Sequence, residues 1–472
     1  MRLKTFLLNT MILRRNPTTD YESDAKEACM RGKVGQWQTR TRGTKLGSVL
    51  CAFLLLALGG VFGAASAAED KSYEGLLQWL DQYGETQPPF EPGQTLTLKD
   101  RHALEPFLPQ SAWPYYFFDE MEMEITETGQ YPFPPEWGEQ VPADYHLDAA
   151  GVLVNFKGGG FPFPSIDPED PQAAVKVIWN MMWEPGTNDH SMEMRTWSRS
   201  EHGKLDRRFE FVSTQAEYAL GDQSLVPGYE EVRSKMSMEF IAPRDLAGAK
   251  QLTIIYLDHY KENRGWMYSP AQRKPRRVLA SERTSEMMGM DFTMEDMMGF
   301  GGKVHEQDWT YLGRKKILTT MNLRTNPKAG GPHLWVPHQV RWELRDTHVV
   351  LIDPKKDSHP YSHKVVFVDA ETYVTQWMVA FDRQDDQLLR LQQHFRKYTE
   401  DYTEEPATPA PHLKLDFSDN HGHRVFLHIG ETDINAKKPH ATFMHCYAVK
   451  KKYSPGRAKQ AFSLRNMASG RR

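Results

Sequence analysis

The feature that most constrains the fold is a long succession of short segments, rich in β-branched and aromatic residues, between positions 194 and 398. Turn residues separate these segments, which is the pattern of strands in a sheet. The stretch VVFVDAETYVTQWMVAFDRQDDQLLRLQQHF is the clearest example, because three strands follow one another with only short turns between them. Since strands joined by short turns pair in antiparallel fashion, we predict an α+β protein built on a large antiparallel β-sheet.

One of these strands also predicts how the sheet is covered. Its odd-numbered positions, from Tyr373 to Phe381, and its even-numbered positions, from Val374 to Ala380, are both largely apolar. Successive side chains of a strand point to opposite faces, so the odd positions should share one face and the even positions the other. Both faces should therefore be covered or line a cavity.

Two helices are predicted beside the sheet. In residues 69–85, EDKSYEGLLQWLDQYGE, apolar residues recur at helical spacing and predict a short amphipathic helix. In DPEDPQAAVKVIWNMMW, Asp170 is expected as the N-cap and Pro171 in the first turn. Residues 86–166 are rich in proline and aromatics and should wrap around the sheet, because proline removes a backbone donor.

The N-terminal region predicts export. Arg40, Arg42 and Lys45 precede the apolar run LGSVLCAFLLLALGGVF, and small residues follow it, so we expect a secretory signal cleaved after Ala67. An uncleaved anchor is the alternative, because the run is close to the minimum length of a membrane span. The region is unusually long for a signal, which suggests Met30 as the true start.

These segments divide the chain into four parts. We expect a signal in residues 1–67, a helix and wrapping segment in 68–166, the curved sheet in 167–402, and a C-terminal extension in 403–472. Residues 450–472 hold eight basic and no acidic residues and are predicted to form a solvated tail.

Composition excludes some functions. Residues 1–67 hold ten Lys or Arg and four Asp or Glu, so the exported part keeps 48 basic and 58 acidic residues. Its net charge of −10 argues against a nucleic-acid partner. Only Cys446 remains after signal removal, so no internal disulfide can form. No later apolar run is long enough to span a membrane.

Four short motifs follow one another within residues 240–318. They are P-x-D-x-x-G, W-x-Y-x-P, R-K-x-R-R and D-F-x-x-E-D, at Pro243, Asp245 and Gly248; Trp266, Tyr268 and Pro270; Arg273, Lys274, Arg276 and Arg277; and Asp291, Phe292, Glu295 and Asp296. GGFPFP before VIWNMMW, and a late VRWELRDTHVV…HKVVFVDAET pair, complete the order. This order resembles the domain of unknown function 1329 family, a branch of the periplasmic, lipoprotein-carrier-like proteins described as outer-membrane lipoprotein-sorting proteins.

The resemblance covers most of residues 70–400 and carries several implications. It implies an open, strongly curved antiparallel half-barrel with helices against its concave face. It also implies a periplasmic location and an association with RND-type exporters of hydrophobic molecules. One stretch departs from the family pattern, because MMGM at 287–290 stands where relatives have a glycine-serine lead-in.

Residues 285–302, SEMMGMDFTMEDMMGFGG, hold six methionines within twelve positions, and we call them the methionine segment. They could form a pliable flap over an apolar ligand, since methionine is flexible and polarizable. Ordinary core packing and a Cu(I) site are the alternatives, although the nearest histidine, His305, lies outside the segment. Its acidic residues and glycines predict one solvent-facing side and hinged ends. The candidate ligand-binding residues here are Met287, Met288, Met290, Phe292, Met294, Met297, Met298 and Phe300.

An arginine cluster follows the W-x-Y-x-P motif. Arg273, Arg276 and Arg277 could contact an anionic head group, since guanidinium groups match phosphate and carboxylate. Solvated charge, or pairing with nearby carboxylates, is the alternative.

Aromatic and histidine residues supply the remaining candidates. Trp266, Tyr268 and Trp309 could line the cavity, with plain sheet core as the alternative. His421 and His423 could bind zinc together, but nothing near them completes a ligand set. We therefore predict no metal site and no cofactor.

Catalytic templates find no anchor in the sequence. KGGGFPFP lacks the Lys-Ser/Thr of a phosphate loop, and neither Gly-x-Ser-x-Gly nor His-Glu-x-x-His occurs. No residue is assigned a catalytic role.

These observations predict a non-enzymatic periplasmic carrier or accessory protein that binds a lipid-like or hydrophobic molecule between the sheet and a mobile flap. It would serve an RND-type exporter, or lipid and lipoprotein traffic to the outer membrane. One alternative is a periplasmic enzyme acting on a hydrophobic substrate by carboxylate chemistry, which requires a convergent polar cluster with perturbed acidity inside the cavity. Another is copper handling by the methionines.

Overall fold

The computed structural model describes residues 70–132, 144–156, 160–183, 190–220, 223–224, 226–324, 326–399, 425–450 and 453–468. The predicted signal, with Met30 and Ala67, lies outside these residues. Within Ala67–Arg472, the described residues form one compact unit. Across the described ranges, every helix is too short or too polar to cross a membrane.

The helices in the described residues are short. They are α1 (Tyr73–Gln82), α2 (Arg101–Leu104), α3 (Trp113–Tyr116), α4 (Ala173–Met182), α5 (Pro455–Ala461) and α6 (Leu464–Ala468). The Ser72 hydroxyl caps α1 by accepting a hydrogen bond from the Gly75 N–H at 3.1 Å, and α1 buries Leu76 and Trp79, as its amphipathic pattern predicted.

Helix α4 begins later than the sequence suggested. Asp170 was expected as its cap, but its side chain accepts the N–H of Gln172 at 2.8 Å and its carbonyl accepts the N–H of Ala173 at 2.8 Å. These bonds form a separate turn before the helix. The N-cap is therefore Gln172.

The strands of the described residues are numbered in chain order. They are β1 (Thr95–Leu96), β2 (Met123–Thr126), β3 (His146–Leu147), β4 (Leu153–Val154), β5 (His190–Ser200), β6 (Leu205–Glu217), β7 (Ala219–Leu220), β8 (Gln223–Ser224), β9 (Val232–Ala242), β10 (Lys250–Tyr256), β11 (Arg264–Ser269), β12 (Lys274–Val278), β13 (Gln307–Thr319), β14 (Lys328–Gly330), β15 (Val336–His338), β16 (Arg341–Pro354), β17 (Tyr361–Asp369), β18 (Thr375–Asp382), β19 (Leu388–Thr399), β20 (Val425–Asn435) and β21 (His440–Lys450).

Fifteen of these strands form one large open sheet. Its order is β1-β2-β16-β17-β18-β19-β20-β21-β5-β6-β9-β10-β11-β12, and β13 also pairs with β16. Within the described strands of this sheet, β2 and β16 are the one parallel pair. The predicted antiparallel meander is confirmed, because β17, β18 and β19 are neighbours in sequence order.

The sheet draws on most of the chain. Strands β1 and β2 come from the wrapping segment and lie at one end of the sheet order, whereas β20 and β21 come from beyond position 402 and lie between β19 and β5. The boundaries expected at 166 and 402 therefore do not divide the sheet. The proline-rich stretch that suggested the second boundary lies outside the described residues.

Both faces of the central sheet are covered. On one face Phe367 packs against Trp79 of α1, with ring centroids 6.2 Å apart and the rings edge to face. On the other face Val366, Val368 and Met378 pack in one cluster with α4. Helices thus lie on two faces, and both sets of alternating apolar residues are buried.

A bulge in β18 changes part of the predicted facing. Trp377 pairs with Phe367 and Thr375 pairs with Val368, so Gln376 is an extra residue between them. Tyr373 consequently packs in the α4 cluster, while Trp377 packs in the cluster on the α1 side. The expectation that Tyr373, Thr375 and Trp377 share one face was wrong, because a bulge interrupts the alternation.

The basic C-terminal region is packed on the sheet. Phe462 and Met467 are buried there, and the Tyr218 hydroxyl donates to the Ala458 carbonyl at 3.0 Å. Residues 453–468 are therefore not a solvated tail. Their charges obscured an apolar series, Ala458, Phe462 and Met467, that covers the end of the sheet.

Candidate functional site

A cavity of about 320 Å³ lies beside the sheet. One part of its lining comes from strands β5, β6, β9 and β10 and from the neighbouring β20 and β21. Further parts come from α4, residues 153–156, residues 257–265, Val278 at the end of β12, and the connection from β12 to β13 that contains the methionine segment. This size is within the range of protein cavities that hold small ligands.

Methionine is the commonest residue type in this lining. Nine methionines contribute: Met181, Met182, Met192, Met194, Met236, Met294, Met297, Met298 and Met444. Aromatic rings add to the apolar surface at Phe156, Trp179, Trp183, Phe292 and Phe300. Thioether side chains can repack around apolar groups of different shapes, so this wall is apolar and adaptable.

The cavity brings together five of the predicted ligand-binding residues. These are Phe292, Met294, Met297, Met298 and Phe300.

The other methionines of the segment are placed elsewhere. Met287 and Met290 are buried in the core, where the Thr196 hydroxyl contacts Sδ of Met290 at 3.5 Å. Met288 is half-buried and has a positive φ of 54° beside Gly289.

The predicted aromatic candidates lie outside the lining. Trp266 and Tyr268, on β11, pack with the buried residues of α5 and α6. Trp309, on β13, stands edge to face against Phe300 at 5.1 Å and donates its indole N–H to the Val304 carbonyl at 3.0 Å. Trp309 therefore packs against Phe300, which lines the cavity, without lining the cavity itself.

The predicted head-group arginines also lie outside the lining. Arg273 precedes the edge strand β12, and Arg276 and Arg277 lie on it, all three exposed.

Three cations that are buried or half-buried contribute to the cavity instead. Arg233 is one of its lining residues, with its guanidinium 3.9 Å from the Trp183 ring centroid and one N–H donated to the Met182 carbonyl at 2.5 Å. Burial lowers the pKa of this guanidinium, although the charge of Glu217 opposes the shift. Arg283 and Lys303 line the cavity as well, so one part of an apolar space carries positive charge.

The acidic residues of the methionine segment attach it to the sheet. Asp291, Glu295 and Asp296 are only 3%, 2% and 1% exposed, so the expected solvent-facing side was wrong. The Thr442 hydroxyl donates to Asp291 at 2.8 Å, and Nδ1 of His440 lies 2.6 Å from the same carboxylate oxygen.

The next two carboxylates bind a second group of partners. Glu295 is 2.6 Å from Nε of Arg283 and 3.0 Å from Nε2 of His359. Asp296 is 2.7 Å from Nζ of Lys364. A buried carboxylate requires such partners because burial alone would make its charge very costly.

The pKa values follow from these contacts. Burial by itself would raise the pKa of Glu295, but the His359 hydrogen bond and the charges of Lys364 and Arg283 outweigh it and lower that pKa to about 2. The hydrogen bond to Asp291 raises the pKa of His440. Both shifts favour the charged forms that hold the segment in place.

The glycine-rich exit of the segment is required by close packing. Gly299 has a φ of +92°, and a Cβ there would lie 2.7 Å from the Thr375 side chain. A Cβ on Gly301 would lie 2.7 Å from the Met294 carbonyl oxygen. These glycines allow the segment to pack closely against β18 and to fold back on itself. The glycines were predicted to act as hinges, whereas the structure shows that close packing requires them.

Sequence reasoning missed most of the wall. Met192 and Met194 on β5 are two residues apart, and this alternation predicts one methionine-bearing face of a strand. Neither this spacing nor Arg233 indicates a cavity by itself. The cover that closes the space lies far away in sequence.

Solved structures of similar shape include three of low sequence identity. A DUF1329 family protein from Desulfovibrio piger is 15% identical, with 63% of this chain and 98% of that chain covered and a TM-score of 0.43. A putative outer membrane lipoprotein-sorting protein domain from Vibrio parahaemolyticus is 13% identical, covering 63% and 100%, with a TM-score of 0.43. A LolA superfamily protein from Nitrosomonas europaea is 8% identical, covering 59% and 93%, with a TM-score of 0.33.

No curated protein matches the chain. The model of one family, described as a protein of unknown function (DUF1329), matches residues 117–458, which is well over half of the sequence. The chain therefore belongs to the DUF1329 family.

Proposed function

We propose that this protein is a non-enzymatic carrier or accessory that binds a hydrophobic molecule in the methionine-lined cavity. The observation that carries the proposal is the composition of the cavity wall, where nine methionines from helix, strands and connection meet around one space. Transfer of an apolar cargo needs contact that adapts to the cargo and still allows release, and thioether side chains supply such contact.

The charged part of the cavity suggests the class of cargo. Arg233 is half-buried against Trp183, and its Nε has no hydrogen-bond partner among the described residues. A guanidinium with a donor to spare matches a carboxylate or phosphate. We propose an anionic amphiphile, with its chain among the methionines and its head group at Arg233, in place of the exposed Arg273, Arg276 and Arg277.

The methionine segment would be the entry point. It is the cover that connects β12 to β13, and Asp296 and Asp291 hold it to the sheet through ion pairs with Lys364 of β17 and Arg390 of β19. Ion pairs can be exchanged for water without creating a hole in an apolar core, so this cover could open at lower cost than a hydrophobic one. The segment would thus serve as a mobile flap.

A periplasmic location and service to an RND-type exporter, or to lipid traffic toward the outer membrane, complete the proposal. The support is the secretory pattern of residues 40–67 and the motif order shared with the family. The alternative of carboxylate catalysis gains no support from Asp291, Glu295 and Asp296, which bind cations or hydroxyl groups of the protein and are outside the cavity lining. Glu262, Glu282 and Glu431 are the carboxylates that line the cavity.

The test begins with the protein purified without detergent from the periplasm of a Gram-negative host. We expect organic extracts to contain a fatty acid or phospholipid detectable by mass spectrometry. The stripped protein should bind a fluorescent fatty acid that unlabelled palmitate displaces. Protein that carries no extractable hydrophobe and does not bind the probe would contradict the proposal.

Two pairs of variants locate the ligand. Arg233→Met should weaken palmitate binding by about tenfold or more, the loss expected for one charge-assisted contact, and leave hexadecanol binding unchanged. Arg277→Met is the matched control outside the cavity and should change neither. Met297→Trp should reduce binding of both ligands by filling the cavity, whereas Trp266→Phe should not.

A further inference from the structure

A second polar cluster lies at the wall of the cavity. His394 on β19 and His428 and Glu431 on β20 are all buried, and one ligand atom from each lies within 4.8 Å of the others. Nδ1 of His394 is 3.1 Å from Oε2 of Glu431, and Nε2 of His428 is 3.4 Å from the same oxygen. His428 and Glu431 line the cavity itself.

A bulge brings these residues to one face. Glu431 pairs with His394, and His428 pairs with Arg396, while Phe395 pairs with Gly430, so Ile429 is an extra residue. Residues three apart on a regular strand point to opposite faces, but the bulge turns His428 and Glu431 to the same face. Gly430 makes this possible, because its φ is +150° and a Cβ there would lie 2.1 Å from the Met444 carbonyl oxygen.

The two imidazoles are poorly satisfied by the protein. The contact of His394 with Glu431 lacks the alignment of a hydrogen bond, and Nε2 of His394 and Nδ1 of His428 have no hydrogen-bond partner within the described ranges. Folded proteins rarely leave buried polar atoms in this state, and a bound metal ion would give each ring a partner.

The protonation states suit a cation. Burial lowers the pKa of His394 to about 4 and also lowers that of His428, so both rings are neutral at pH 7. Burial alone would raise the pKa of Glu431, but its contacts with the two histidines lower it, so the carboxylate is charged. Two neutral imidazoles and one carboxylate are the ligand set of many sites for divalent transition metals.

We propose that His394, His428 and Glu431 form a binding site for a divalent transition-metal ion of the Zn²⁺ type at the wall of the cavity. From the sequence we expected no metal site, because nothing near His421 and His423 completes a ligand set. His394 is more than thirty residues from His428, so no local pattern indicated this cluster. Three protein ligands leave a coordination position for another group, and two of these ligands face the cavity. An anionic group of a bound molecule could occupy that position.

The experiment uses full-length protein stripped with a chelator and dialysed into metal-free buffer. We expect isothermal titration with Zn²⁺ to give one site per chain, and Co²⁺ to produce a visible absorption band of a low-symmetry N/O site. His394→Gln and Glu431→Gln should each weaken Zn²⁺ binding by more than about 100-fold and abolish the Co²⁺ band.

Two controls keep the result clear. The double variant His421→Gln/His423→Gln removes the histidine pair noticed in the sequence, which lies outside the described residues. It should bind Zn²⁺ like the original protein. Circular dichroism and thermal melting of the metal-free His394→Gln and Glu431→Gln proteins establish that each is folded. If the stripped protein binds no Zn²⁺, or if folded His394→Gln and Glu431→Gln bind it as tightly as the original, the three residues are a buried polar network only. Neither readout depends on a lipid ligand, so the outcome is independent of the proposed function.

Discussion

Two parts of the chain cover opposite faces of β17, and they are held in different ways. Trp79 of α1 packs on Phe367 from one side, in a cluster of buried apolar residues. Asp296 of the methionine segment pairs with Lys364 on the other side, 2.7 Å away, beneath a cavity lined by methionines. The first cover closes a packed core. The second is held by buried ion pairs as well as by apolar residues such as Met290 and Phe292, and it borders a cavity, which fits the flap proposed above.

The largest expected effect tests the apolar cover. Trp79→Ala removes a side chain that is 2% exposed and donates its indole N–H to the Glu105 carbonyl at 2.9 Å. We expect the free energy of unfolding to fall by about 3–5 kcal/mol, as for other large-to-small core substitutions. Urea unfolding followed by circular dichroism measures it. A loss below about 1 kcal/mol would show that α1 contributes little to this core.

A loss of stability of similar size tests the charged cover, and here a second substitution should restore most of the loss. Lys364→Met leaves the Asp296 carboxylate buried without its cation and should cost about 3–5 kcal/mol. The double variant Lys364→Met/Asp296→Asn removes both charges and should recover most of that loss, because no buried charge remains unpaired. Urea unfolding of the original protein, Lys364→Met, Asp296→Asn and the double variant forms a complete cycle. A double variant as unstable as Lys364→Met would contradict an attachment based on charge.

The pH dependence of the charged cover gives a somewhat smaller effect. The pKa of Glu295 is about 2 in the folded protein against 4.5 as its ordinary value, so the unfolded chain binds the proton more tightly. Glu295 therefore contributes about 3 kcal/mol to the free energy of unfolding above pH 4.5, and this contribution is lost as the pH falls toward 2.

The measurement compares the original protein with Glu295→Gln in urea at several pH values. The difference in unfolding free energy between them should shrink between pH 4.5 and the lowest pH at which the fold persists. Asp119→Asn, which alters an exposed carboxylate, is the control and should leave the profile nearly unchanged. A constant difference across this range would contradict the role of Glu295.

The smallest effect has the opposite sign. The pKa of His440 is raised above 6.5 by its hydrogen bond to Asp291, with Asp206 adding to the shift and burial opposing it. The contribution of His440 to the free energy of unfolding is complete below pH 6.5 and is lost as the pH rises through the pKa that the histidine has in the folded protein. His440→Gln should therefore destabilise the protein at pH 6 more than at pH 9. Equal losses at both values would show that the histidine acts without its charge.

Where the pattern was local, the sequence was informative about the fold. The apolar spacing of residues 73–83 predicted α1, and the turns between β17, β18 and β19 predicted their antiparallel order. The prediction failed where one residue interrupted a period, as at Gln376 in β18. It also failed where charge hid a few apolar side chains, as in residues 453–468.

The candidate site was predicted only in part for a related reason. Phe292 and Met294 were named because they lie in a dense local cluster of methionines, and both line the cavity. Met192 and Met444 were not, because each is one of few methionines in its own strand. The acidic residues of the segment were predicted to face water, since their partners Lys364, His359 and His440 are distant in sequence.

The sequence by itself determined most of the strands between 194 and 398, the first helix, the order of the short motifs and the unusual methionine content. Each of these depends on neighbours a few positions away, where backbone geometry sets which side chains share a face. Only the tertiary structure decided that the methionines surround one cavity, that the acidic residues attach their segment to the sheet, and that His394 meets Glu431. Those contacts join strands whose order in the sheet differs from their order in the chain, and a bulge of one residue decides which side chains meet.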